Sequence, residues 1–98
     1  MNKLKLAEGA FVKITKAHHA TSEHWYLLGL VQVGQSDFET ASSNLLTSGI
    51  KSIEEKKFDI TLKNLKKLKN LAEKSLIDKQ KYIELGHKVS VELEKLKS

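Results

Sequence analysis

Apolar residues recur in this chain every three or four positions rather than every two, and no proline interrupts them anywhere in its 98 residues. That period is the one that lines a single helical face, whereas a half-buried strand alternates. Helix interiors reject proline, so a chain without any suits an all-helical fold best. Leu4, Ala7, Phe11 and Ile14 form a first stripe. Phe38, Ala41, Leu45 and Ser48 form another, widened by Leu46, Ile50 and Ile53. Leu62, Leu65, Leu68, Ala72 and Leu76 make a third, and Tyr82, Leu85, Val89, Leu93 and Leu96 a fourth. The fold class is all-α, and no segment reads as a strand.

Breaks between the stripes set the helix count. "HHATSEH" is poor in helix formers, and Thr21 or Ser22 followed by Glu23 reads as an N-cap with an acid in the first turn. This predicts helices over 3–18 and 22–34, with one long helix over 3–34 as the rival. At "GQSD", Gly34 can end a helix while Ser36 or Asp37 caps the next. Asp59 is the expected cap of the helix that follows "EEKKFD". A softer break falls in "IDKQ", residues 77–80; without it, residues 59–96 would form one rod about 57 Å long. The expectation is an antiparallel helical-hairpin bundle of about four helices, with three or five as alternatives, in a single domain over 1–98. "SDFETA" and "KKFDIT" each pair phenylalanine with aspartate at a helix start, 20 residues apart, as an array of helical hairpins would.

Composition limits the chemistry. With no cysteine, disulfides, thiolate zinc sites and a thiol nucleophile are excluded. Glu8, Lys13 and Lys16 interrupt the N-terminal apolar residues, so no secretory signal is expected. The longest apolar run, Trp25 to Val31, is far short of the roughly 20 residues a membrane span needs. A soluble, cytoplasmic protein is the expectation. The net charge of +5 lies entirely in the second half, where thirteen lysines face eight acids, and no residue is arginine. At 100° per residue, Lys63, Lys67 and Lys74 stand opposite the third stripe, flanked by Lys56, Lys57 and Lys66. They are the candidate partner-binding residues, for an acidic protein segment or, as the alternative, for nucleic acid. Lysine offers a point charge where base readout usually uses arginine's planar fork, which favours the protein partner.

Catalytic patterns are lacking. His18, His19 and His24 lie near Glu23, with His19 and Glu23 four apart, but no zinc-ligand motif completes them. His87, in "LGHKVS", matches no phosphotransfer motif, and the serines of "TASSNLLTS" have no histidine–acid pair at a recognisable spacing. Ser42 and Ser43 are expected to face solvent or bond a local carbonyl. The expected function is non-enzymatic, with no metal and no cofactor.

The stretch "HWYLLGLVQVGQSDFETASSNLL" carries a resemblance. Trp25, Leu28 and Gly29, then Asp37 and Phe38, then Ala41, Leu45 and the small Ser48, resemble the helix-turn-helix unit of tetratricopeptide repeats over residues 24–53. Gln32 stands where that family has an aromatic, Ser36 replaces its turn glycine and Ile53 its terminal proline; one repeat is legible. The microtubule-interacting-and-transport domain resembles residues 20–96 equally, again with Phe38, Ala41 and Leu45. Both resemblances imply a protein that binds helices or peptides of other proteins. Physically, Gly29 and Ala41 lack bulk, so two helix axes can approach while Trp25, Leu28, Phe38 and Leu45 fill the space around them. The residues predict an interaction module such as an adaptor, a secretion-type chaperone or an immunity-type inhibitor. A homo-oligomer is a further possibility, because the Tyr82–Leu96 stripe is coiled-coil-like.

Overall fold

The computed structural model describes residues 3–16 and 20–97. Five helices follow one another: α1 (Lys3–Thr15), α2 (Ser22–Gly34), α3 (Phe38–Glu54), α4 (Phe58–Glu73) and α5 (Gln80–Lys97). Each packs against the next, and α5 also folds back on α3, giving a slab of 52 × 33 × 16 Å. The two rods that the sequence leaves open, 3–34 and 59–96, are both broken. The stripe residues Leu4, Leu93 and Leu96 have side chains outside the described residues, as do His18 and His19 altogether.

Three helix ends share one geometry. After α2, the Ser36 N–H donates to the Val33 carbonyl at 3.0 Å and the Asp37 N–H to the Gln32 carbonyl at 2.9 Å. After α3, Lys56 and Lys57 repeat this onto Ile53 and Ser52; after α4, Ser75 and Leu76 repeat it onto Ala72 and Leu71. Each is a Schellman motif, which needs a left-handed residue just past the helix. Ser36, Lys56 and Ser75 take that conformation at φ of 62°, 62° and 58°, a place glycine usually fills. Gly34, the expected terminator, is the last residue of α2. Asp37 and Lys57 then open the next helices with nearly the same backbone angles, which accounts for the 20-residue echo of Phe38 and Phe58. Asp59 is not the cap: α4 starts one residue earlier, so Asp59 lies in the first turn, where its charge favours the helix dipole. α4 ends at Glu73, so Leu76 lies beyond it and is 41% exposed.

The α2–α3 seam is tight. A Cβ on Gly29 would lie 2.7 Å from Leu45 Cδ2 and 3.4 Å from the Ala41 carbonyl oxygen. Leu28, Ala41 and Leu45 are buried, while Trp25 and Phe38 are half-buried at its edges. A second close approach brings Leu85 of α5 within 2.6 Å of where a Gly49 Cβ would stand on α3. Leu45, Ile53, Leu68, Leu71 and Leu85 form the core cluster.

A polar spine crosses this core. The Ser22 hydroxyl donates to Glu55 Oε1 at 2.6 Å and the Ser22 N–H to Oε2 at 3.0 Å, so a carboxylate from the end of α3 sits on the N-terminus of α2. Burial pushes the Glu55 carboxyl up, but the Ser22 hydroxyl and N–H, with the charges of Lys57 and Lys51, outweigh it and hold it below its ordinary 4.5. The Ser48 hydroxyl donates to the Ser22 carbonyl at 2.7 Å, and Asn64 Nδ2 donates to Ser48 Oγ at 2.9 Å. Ser52 and Thr61 share a further buried hydroxyl contact. On the other side, Gln32, 3% exposed, donates to Glu8 of α1 and accepts from Asn44 of α3, joining three helices through one amide.

These contacts shift the expected buried face of α4: Leu68 is buried and Leu65 packs on the core as the spacing predicts, but Leu62 does not join them. Its buried residues are Ile60, Thr61, Asn64, Leu68 and Leu71. Leu62, assigned to the buried stripe by its spacing, is 59% exposed. The helix has rotated to place Thr61 and Asn64 in the spine, leaving Leu62 outward.

Candidate partner-binding face

The outward side of α4 collects the charge. Lys63, Lys66, Lys67 and Asn70 follow one another at helical spacing, and with Tyr26 of α2 they line a shallow cleft of about 310 Å³. Lys63 and Lys66 are exposed and Lys67 is half-buried. No carboxylate lines the cleft. Among the described residues the nearby charge pairs lie elsewhere, Lys57 with Glu55 at 3.8 Å and Lys69 with Glu73 at 4.0 Å. Three lysines, a tyrosine and an asparagine therefore line one cleft with no carboxylate among them, an arrangement that attracts a negative ligand.

Lys63 and Lys67, named from the sequence, are thus brought together, and Lys74 is not: it sits at the C-cap of α4, exposed and off the cleft. Tyr26 and Asn70 complete the lining; Asn70 shares the helical spacing of the lysines, whereas Tyr26 carried no signal in the sequence. Tyr26 lies in a helix that is apolar almost all round, so its sequence does not say which side meets α4. Lys56 and Lys57 belong to the α3–α4 turn instead.

A second groove lies on the other flank of α4. Phe58, Thr61 and Leu62 face Val89 of α5 across an apolar recess of about 200 Å³. Further along, Lys69, Ala72, Glu73, Lys79 and Tyr82 line a recess of about 300 Å³. A shallow depression over Lys66, Lys69, Asn70 and Glu73 shares residues with both this recess and the basic cleft. The outer ridge of α4 is therefore one continuous face, basic towards α2 and more apolar towards α5.

Two of the other candidates, His24 and Ser42, have local structural partners. His24 Nδ1 accepts the Thr21 N–H at 3.1 Å, closing a capping box at the start of α2 with histidine in the usual place of glutamate. Among the described residues no three of histidine, cysteine, aspartate and glutamate gather where a metal could sit. Ser42 is buried, and its hydroxyl donates to the Glu39 carbonyl at 2.8 Å. His87 is exposed on α5. Among the described residues no helix is long and apolar enough to cross a membrane.

Comparison with protein-family models, with curated proteins and with solved structures finds no match for this chain.

Proposed function

We propose that the chain is a non-enzymatic protein-interaction module that takes an acidic segment of a partner protein into the Tyr26–Lys63–Lys66–Lys67 cleft. The observation that carries this reading is the convergence of three lysines, free of carboxylates, on one recess. Charge of one sign beside a low-dielectric wall steers an oppositely charged segment and sets its register. An adaptor, a chaperone and an immunity-type inhibitor would all use such a face. The hairpin resemblance to tetratricopeptide and microtubule-interacting-and-transport units supports the same class.

Nucleic acid is the second reading, and Tyr26 favours it, because an aromatic ring among lysines can stack a base. The lack of arginine weighs against base-specific readout.

A pull-down from the source cell's lysate with the wild-type chain and a Lys63→Glu/Lys67→Glu variant, with and without nuclease and at two salt concentrations, separates them. A protein retained through nuclease treatment by the wild type and lost by the variant is the expected result. Nucleic acid released by nuclease and salt, with no protein retained, would replace the proposal with the second reading.

A further inference from the structure

Leu62 is the most exposed large apolar residue of α4, at 59%, and Phe58, one turn earlier, is 41% exposed. Together with Val89 they leave an apolar groove open along the same ridge that carries Lys66. Leu62 and Lys63 are neighbours in sequence, so they project from α4 about 100° apart. Two contrasting stripes thus run side by side over about 13 Å of helix from Phe58 to Lys67.

Resting on the cleft reading above, we propose that the partner segment is an amphipathic α-helix lying along α4. It sets one large apolar side chain into the Phe58/Leu62/Val89 groove and a row of carboxylates over Lys63, Lys66 and Lys67. A helix presents an apolar and an acidic stripe side by side on one surface, the arrangement that matches this ridge. An extended segment alternates its side chains between opposite faces and covers one stripe at a time. Nucleic acid would satisfy the lysines and leave the groove uncovered. A second copy of this chain, whose charge excess lies in the same half, would set lysine against lysine.

The test is selection of a displayed library of helical 20-residue peptides on the full-length protein. The selected peptides are then measured against Leu62→Gln and against Lys63→Glu/Lys67→Glu, each checked for unchanged helicity. Enriched peptides are expected to carry acids beside one large apolar residue, and each variant is expected to weaken them tenfold or more. Acidic peptides that share no apolar residue and bind Leu62→Gln as tightly as wild type would overturn the helix proposal and leave the cleft reading standing. Peptides indifferent to both variants, or no enrichment at all, would overturn both. A concentration-dependent dimer dissolved by Leu62→Gln would give the groove to a second copy and overturn the proposal. Should Leu62→Gln lose helicity, Leu62→Ala provides the same comparison with a good helix former.

Discussion

At the α2–α3 seam a glycine lies under a leucine at 2.7 Å from where its Cβ would be, and the large side chains at the contact, Leu28 and Leu45, are buried. Along the α4–α5 flank, Phe58 and Leu62 remain 41% and 59% exposed. The two regions draw on the same residue types and use them oppositely. At the seam, small residues let backbones close and exclude solvent. On the flank, α4 turns Leu62 outward so that Asn64 and Thr61 can enter the polar spine. Apolar residues at helical spacing therefore mark a core in one place and an unfilled surface in the other. Thr61 and the Asn64 amide nitrogen enter the core with hydrogen-bond partners, which limits the penalty of stranded polar groups to the unpaired Asn64 Oδ1, and Leu62 is left free for another use.

The largest expected contrast comes from truncating two of the leucines of α4, one buried and one exposed. Leu68→Ala is expected to cost about 2–5 kcal/mol, since Leu68 is fully buried. Leu62→Ala is expected to change stability by no more than about 0.5 kcal/mol, as at other surface positions. Urea titration of both variants reads the difference directly, and equal costs would erase the distinction.

Next in size is the seam glycine. Gly29→Val forces a side chain into Leu45 and is expected to cost about 1–3 kcal/mol. Gly86→Ala, on a helix position with no atom within 4 Å of the added carbon, is expected to stabilise by about 0.5–1 kcal/mol. Opposite signs in thermal melts are the expected outcome.

The Glu55 clamp is expected to contribute about 1 kcal/mol near neutral pH, measured as the loss in Glu55→Gln. Its carboxyl titrates below 4.5 in the folded chain, so the contribution is present above that value and is lost as pH falls through the depressed folded value. Wild type and Glu55→Gln should therefore converge in stability as the solution is acidified below about pH 4.5. A constant gap across that window would show that the clamp carries no charge-dependent stabilisation.

Smallest are the left-handed turn residues. Ser36→Gly, Lys56→Gly and Ser75→Gly are each expected to stabilise by about 0.5–1 kcal/mol, because glycine takes φ near 60° without the steric penalty. Destabilisation by any of them would mean that its side chain makes a contact worth more than the backbone strain.

The helical class and the breaks near residues 20, 36, 57 and 78 were legible, because period and capping residues are local properties. So was the lysine concentration of the second half. What sequence could not supply depends on partners distant in the chain. Gly34 does end α2, as expected, yet three non-glycine residues bear the left-handed turns past the helix ends. Leu62 looked buried because its spacing matched Leu65 and Leu68, yet Ser48, from a different helix, decides where Asn64 points. Asn70 joins the lysines by helical spacing alone, whereas Tyr26 joins them only through the packing of α2 beside α4, which no local pattern encodes.

Both the core and the proposed face follow from the orientation of α4. The chain has no cysteine, so single substitutions Leu62→Cys, Lys66→Cys, Asn64→Cys and Leu68→Cys each introduce one thiol, and its rate of reaction with a maleimide reports exposure. Rapid labelling is expected at 62 and 66 in the folded protein, with 64 and 68 reacting only on unfolding. Rapid labelling at 64 with protection at 62 would contradict it, and would restore the face that the leucine spacing alone implies.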